Sequence, residues 1–319
     1  MRKFFIYAFV LLFPLAVMAQ SVAEISETVD DDKGFLTNLL EKNLSGAGRQ
    51  VQIDGFQGAL SSRATFREIR ILDNDGAWLT LKNGAIQWNR SALLRRRVEI
   101  AELSAEEILL PRLPKGEQSD VQAEAPVFAL PELPVSLAIE QIKADRVELG
   151  EPLIGVAAAL RVNGGLSLEG GEGKAQLTID RLDGPRGQFV LDAAYANETQ
   201  ILSLNLGLDE AKDGILVNLV NLYDKPAVTA QISGEGEIRN FAADIRLATD
   251  GTQRIAGRVS ANGQQQDGDQ GTAFRFQLGG DVATLLSPEN RAFFGKDTQL
   301  LAEGWRADSG RLDIPKLDI

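Results

Sequence analysis

Three short stretches of the 319-residue chain carry residue types that could do chemistry. Asp73-Asn74-Asp75-Gly76 has the spacing that opens a calcium-binding loop. The later ligands and the terminal glutamate are missing, so the stretch reads as a turn between strands. Gly170-Gly171-Glu172-Gly173-Lys174 has the look of a phosphate loop. The first glycine is not at the required spacing, and Ala175 stands where a serine or threonine would hold magnesium, so it reads as a hairpin turn. Arg95-Arg96-Arg97 could meet anionic lipid headgroups. The plainer reading, a solvated turn ahead of a strand, is preferred because charge runs usually mark solvated faces.

Other chemistry is limited by composition. The chain has no His and no Cys. That removes the commonest general base, the commonest metal ligand, thiolate sites, disulfides and an acylated lipoprotein anchor. The carboxylates are scattered through turns and outward strand positions. No catalytic set, metal cluster or cofactor site stands out, and the chain reads as a non-enzyme. A net charge of -12 argues against nucleic acid as a partner.

The elements themselves follow a repeated pattern. From Val98 to Leu110 the apolar residues are Val98, Ile100, Leu103, Ala105, Ile108 and Leu110. Spacings of two alternate with spacings of three. The pattern returns at Leu137, Ile139, Ile142, Ala144, Val147 and Leu149. Its first four positions recur at Ala64, Phe66, Ile69 and Ile71, and again at Leu312, Ile314, Leu317 and Ile319. A step of two keeps a strand's apolar side chains on one face. A step of three keeps them there only if a β-bulge absorbs one residue, and bulges bend and twist a strand. The expectation is therefore a mostly β fold: an elongated, curled antiparallel sheet with β-bulges, forming an apolar (β-taco-like) groove, with a few short helices.

Along the chain, Arg2 and Lys3 precede the apolar run Phe4 to Ala19, with Val17-Met18-Ala19 as a cleavage site. Residues 1–19 read as a cleaved signal peptide or an uncleaved signal anchor. Residues 20–34 read as a flexible spacer and 35–48 as an amphipathic helix built on Phe35, Leu36, Leu39, Leu40 and Leu44. Residues 49–319 form the repetitive β-region, interrupted by a Pro-rich loop at 111–134. Ser91 to Leu94 predicts a helical turn, Gly214 to Leu222 a short helix, and Ser287-Pro288-Glu289 the start of a brief helix through Phe294. Turns are expected at Asp183-Gly184, Asp213-Gly214, Asp250-Gly251 and Gly263 to Gly271. Ala77, Leu79 and Leu81 alternate with Trp78 and Thr80. The pattern still running at Ile319 predicts that further strands follow. At about 4.8 Å per strand, roughly 16 to 18 strands would make a strip of roughly 80 Å.

The face so defined would hold apolar chains, since each buried methylene contributes about 0.8 kcal/mol. The candidate lining is Phe66, Ile69, Ile71, Leu79, Leu81, Val98, Ile100, Leu103 and Ile108. It continues through Leu137, Ile139, Ile142, Val147, Leu149, Leu204, Leu206, Phe274 and Phe276.

Several motifs then resemble a known family. They are Asp75-Gly76-Ala77-Trp78, Gln87-Trp88, Leu93-Leu94 and the Val98 to Leu110 pattern, followed by Asp213-Gly214-Ile215 to Leu222, Gly234-Glu235-Gly236 and Ser287 to Gly295. In this order they resemble the N-terminal region of TamB proteins, inner-membrane subunits of the translocation and assembly module in the AsmA-like group. The resemblance implies a long β-groove tethered at the inner membrane of a Gram-negative bacterium and crossing the periplasm. It implies transport of phospholipid, held by its acyl chains, toward the outer membrane. It also implies a partner in TamA, an outer-membrane barrel of the Omp85 type, contacted through a C-terminal part beyond this sequence. The alternative it leaves open is a scaffold for assembly of outer-membrane proteins such as autotransporters. It implies no catalytic residue and no cofactor.

Overall fold

In the computed structural model, the two full copies of the pattern are neighbouring strands. Residues 50–58, 62–114, 136–266, 268–295 and 297–318 are described. The expected signal segment, spacer and first helix, and most of the Pro-rich loop, lie outside the described residues. The rest is one sheet of fifteen strands in strict sequence order, with no crossing connections. The strands are β1 (Gln50–Asp54), β2 (Arg63–Asp73), β3 (Gly76–Trp88), β4 (Arg97–Leu110) and β5 (Ser136–Leu149). There follow β6 (Ala158–Glu169), β7 (Glu172–Arg181), β8 (Gly187–Ala196), β9 (Ile201–Glu210) and β10 (Val228–Glu237). The last five are β11 (Asn240–Thr249), β12 (Thr252–Gln266), β13 (Asp269–Gly280), β14 (Thr298–Ala307) and β15 (Leu312–Asp318). The sheet is curled and unclosed. Among the described residues there are fifteen strands, beside an expectation of roughly sixteen to eighteen for the chain.

One pairing departs from the antiparallel rule. β4 and β5 run parallel, and the two pattern copies lie side by side in register. Val98 faces Leu137, Ile100 faces Ile139, Leu103 faces Ile142, Ala105 faces Ala144, Ile108 faces Val147 and Leu110 faces Leu149. A parallel pair needs a long connection, and in the sequence residues 111–135 separate Leu110 from Ser136.

Several of the spacings of three fall where the register shifts. On β5, the steps Ile139 to Ile142 and Ala144 to Val147 each face a two-residue step on β6. On β4, Ile100 to Leu103 faces the two-residue step from Trp88 to Ile86. On β15, the register shifts by one residue across Asp313 to Lys316. Some of these steps align. Phe66 and Ile69 on β2 face Gly84 and Leu81 on β3, which face Ala105 and Ile108 on β4, which face Ala144 and Val147 on β5. A crease therefore runs across β2 to β5 and ends in the bulge against β6. Asn83 sits in it at φ 48. Bulges bend strands, and beside this crease Ile100, Leu137 and Ile139 pack on one another.

Three short α-helices and two 3₁₀ turns decorate the sheet: α1 (Arg90–Leu93), α2 (Glu151–Ile154), α3 (Ile215–Leu219), Ala283–Leu285 and Arg291–Phe293. The expected helix from Ser287 is instead a turn at 288–290 followed by the second 3₁₀ turn. Ser287 caps no backbone N–H there and accepts from Asn290 Nδ2 at 3.1 Å. Two further expectations are corrected. Strands β12 and β13 pair as far as Gln266 and Asp269, so the turn expected across Gly263 to Gly271 is much tighter. Alternation also placed Trp78 opposite Leu79. A register shift at Ile71/Leu72 brings Trp78 into the same cluster as Val51, Ile71 and Leu110, against which Leu79 also packs.

Candidate functional site: an apolar inner face

Because the strands alternate in direction, the connections β5–β6, β7–β8, β9–β10, β11–β12 and β13–β14 share one rim of the sheet. That rim carries α2, α3 and both 3₁₀ turns. Ile154 of α2 and Ile215 of α3 pack with Ala144, Val147, Ala158, Leu160, Val162 and Ile179, so the two helices lie over the inner face there. Helix α3 is fixed by Glu210 at the end of β9. Its carboxylate is 4% exposed and accepts from the backbone N–H of Ile215 at 3.0 Å and of Leu216 at 2.8 Å. Those are donors that a helix N-terminus leaves without internal partners. Val217 is fully buried beneath it.

The candidate lining residues fall into two groups. The first lies on β2 to β5 and is packed against itself. Ile139 is 1% exposed, and Phe66, Ile71, Ile100, Leu137 and Val147 are also buried. Ile69, Leu79, Val98, Leu103, Ile108, Ile142 and Leu149 are half-buried and packed on these clusters. Leu81 is half-buried too. The face bearing Ile100 is thus filled by its own side chains, with Trp88, Ile86, Leu166 and Leu168 closing round it.

The second group, Leu204, Leu206, Phe274 and Phe276, lies on β9 and β13. Here the face is lined but not filled. Leu204, Leu206 and Phe274 are half-buried, and Phe276 is 39% exposed. The rings of Phe274 and Phe276 meet edge to face at 5.5 Å. Direct pairings extend this group into one row: Leu177, Leu191, Leu206, Ile232, Ile245, Gly257, Leu278 and Leu300, one from each strand β7 to β14. All eight are half-buried. Six of them are absent from the lining expected on sequence, Gly257 aside, although the signal that placed Leu206 there (strict alternation) is the same for each.

The opposite face is polar. Neighbouring positions carry Gln176 with Asp192, Arg186 with Asp209, Asp244 with Arg258 and Arg275 with Glu303. The Arg258 guanidinium, hydrogen-bonded to Asp244, holds that carboxyl below the usual range, and Asp244 raises Arg258 in return. The Asp73–Gly76 and Gly170–Lys174 stretches are hairpin turns with their flanking strand ends. Asp73 joins the β2–β3 turn, accepts from Asp75 N at 2.9 Å and holds Arg112 through two bonds of 2.7 and 2.5 Å. Gly170 and Gly171 close the β6–β7 hairpin at positive φ. Among the described residues, no group of three or more His, Cys, Asp or Glu could hold a metal ion, and no helix is long and apolar enough to cross a membrane. Comparison with family models, with curated proteins and with solved structures gave no match.

Proposed function

We propose that the chain is a groove-type conduit section for phospholipid between the inner and outer membranes of a Gram-negative envelope. The observation that carries this reading is the apolar row from Leu177 to Leu300, interrupted at Gly257 and half-buried on the inner face of an unclosed sheet whose other face is polar. A face of this kind binds acyl chains by area alone. Successive strands offer equivalent surface, so a chain can slide across them without breaking a specific bond. The sequence resemblance to TamB proteins supports the same reading. It supplies the inner membrane and an outer-membrane Omp85-type barrel, TamA, as the proposed partners, with no cofactor and no catalysis.

A photo-crosslinking residue at Leu206 or Ile232 tests it in cells. Phospholipid adducts are expected there and not at Gln231, which precedes Ile232 on β10 and is exposed on the other face. No adduct at either inward position would sink the proposal. Positions such as Ile139 are poor probes, because that side chain is already enclosed.

The alternative is a scaffold for outer-membrane protein assembly by strand addition. Among the described residues the sheet has two edge strands, and β15 exposes Leu312, Ile314 and Leu317. Crosslinks from β15 to an unfolded barrel client, without lipid adducts at Leu206, would favour it.

A further inference from the structure

The corner between β3 and β4 is the place where charge and exposure depart most from the rest of the molecule. The chain as a whole is acidic, at -12. Yet this corner brings together Arg63 at the start of β2, Arg90 on α1, and Arg95, Arg96 and Arg97 after it. Arg63 pairs with Gln87, and Trp88 N donates to Ser62 O at 2.9 Å, so β2 begins beside the corner. Leu94, at the apex among these arginines, is 90% exposed.

The corner is held rigidly. Asn89 donates through its backbone to Glu99 O and through Nδ2 to Glu99 Oε2, both at 2.8 Å. Ala92 is 3% exposed and seats α1 on the sheet, while Arg95 N donates to Ala92 O at 2.8 Å. Arg96 is fixed at φ 57, a left-handed conformation that a long side chain adopts at a cost, and its carbonyl accepts from Ser136 N at 3.0 Å. The nearby acids are occupied: Glu99 by Asn89, Glu169 by Arg97 at 3.5 Å, and Glu102 by Ser104 at 2.6 Å. Among the described residues, Arg95 and Arg96 make no ion pair, and both are exposed.

A solvated turn would account for the charges. It does not account for a leucine presented at the apex of a braced turn. We infer that the Asn89–Arg97 corner docks on an anionic bilayer leaflet, with Leu94 entering the acyl boundary and Arg95 and Arg96 taking lipid phosphates. Guanidinium groups match phosphate oxygens bidentately, and an apolar tip beside them suits the headgroup region of a bilayer better than a nucleic acid backbone. The inference rests on the proposed placement of the chain beside a membrane.

The absence of cysteine allows a single labelled site in the full chain. With Leu94→Cys carrying an environment-sensitive fluorophore, emission should shift to the blue on phosphatidylglycerol-rich vesicles and be quenched by lipids spin-labelled near the headgroup. The shift should be absent on phosphatidylcholine vesicles. Each of Arg95→Gln and Arg96→Gln should weaken vesicle docking of the label about fivefold, and high salt should weaken it further. A label at Asp250→Cys, on the opposite rim, should stay in water throughout. The N-terminal apolar segment is present in every sample, so only vesicle charge and the two arginines vary. A Leu94 label that stays in water on anionic vesicles overturns the inference. So does a shift that survives both arginine substitutions, and so does burial of the label by an acidic protein in place of vesicles. Loss of acyl adducts at Leu206 with this corner still docking would sink the groove reading alone, and the converse result would sink the corner alone.

Discussion

Strands β2 to β6 and strands β7 to β14 share one sheet and a similar supply of Leu, Ile, Val and Phe, yet the candidate lining is mostly enclosed in the first set and half-buried or exposed in the second. The difference lies in the spacing. In β2 to β5 the apolar positions step by two and by three; some threes are bulges, at Ile100–Leu103 against β3 and at Ile139–Ile142 and Ala144–Val147 against β6, and others face one another in register as a crease across β2 to β5. The curl brings Ile100, Leu137 and Ile139 together, with neighbours from β3 and β6 packed around them. In β7 to β10 the steps are all of two, and those strands pair with no register shift. There the row Leu177, Leu191, Leu206 and Ile232 stays half-buried. One sequence device thus separates a core from a lining. The lesson for function is that an apolar face read from sequence is available to a ligand only where its own curvature does not fill it.

The largest expected effect tests this separation directly. Ile139→Ala should cost about 2–5 kcal/mol in denaturant unfolding, because it opens a cavity in an enclosed cluster. Leu206→Ala on the half-buried row should cost about 1 kcal/mol, since part of its surface already faces solvent. Equal losses would mean that the two regions are packed alike, and the distinction between core and lining would fail.

Next in size are two substitutions that disturb one region and spare the other. Gly84→Ala would drive a Cβ into the Phe66 ring, against its Cζ, Cε1 and Cε2. Phe66 lies flat across that glycine in the crease, so the ring must move and the cluster must repack. A loss of about 1–3 kcal/mol is expected in melting experiments. Glu210→Ala removes the acceptor for Ile215 N and Leu216 N and leaves those N–H groups without it beneath α3. About 1–3 kcal/mol is expected here as well. Hydrogen exchange should report it as local loosening of residues 211–227 and of the β5 and β6 residues under Ile215, with the amides of β2 and β3 unchanged. Spread of the loosening into β3 would show that the helices brace the creased region too.

How much of this was legible in the sequence follows from what a period can encode. The steps of three at Ile139–Ile142 and Ala144–Val147 told where the strand must bulge, because only an extra residue keeps both members on one face. The same period is silent about direction. Strands alternate identically whether their neighbour is parallel or antiparallel, so the β4–β5 pairing was missed. The available signal was the length of the connection after Leu110, too long for a hairpin and suited to a crossover. Trp78 was misplaced because a bulge at a spacing of one leaves no mark in the alternation. Gln264 to Gln266 were read as turn because they are polar. They are strand because backbone pairing to Asp269 to Gly271 needs no apolar side chain. The division of the lining into filled and open parts needed the curvature, which depends on how bulges align between strands and not on any one strand.

Trp78 sharpens the comparison with a smaller effect. Its Nε1 is buried without a hydrogen-bond partner, in the cluster with Val51, Ile71 and Leu110. Trp78→Phe removes an unsatisfied donor but also some packing. The two terms oppose, so a change of less than about 1 kcal/mol is expected, far less than a tryptophan truncation in a core would otherwise cost. A large loss on urea unfolding would show that the indole N–H is partnered in solution.

The smallest expected effect is electrostatic and belongs to the open region. Asp183, in the connection between β7 and β8, accepts from Arg181 Nε at 2.7 Å and from its NH2 at 3.1 Å. This hydrogen bonding, partly opposed by burial, holds the Asp183 carboxyl below its usual value. A carboxyl whose folded pKa is depressed binds protons less readily in the native state than in the unfolded one. Its stabilising contribution is therefore fully present above the unfolded value, near 3.8, and is lost as pH falls through the lower folded value. Asp183→Asn should thus lower stability slightly at neutral pH and converge with the parent protein in acid. The Arg181 side chain is 5% exposed and would lose its charged partner, so the variant should also loosen the rim beside Gly187. If unfolding curves of the two proteins run parallel from neutral pH to below pH 3.8, the Arg181–Asp183 pair is not formed in solution, and the open region owes its rim geometry to backbone pairing alone.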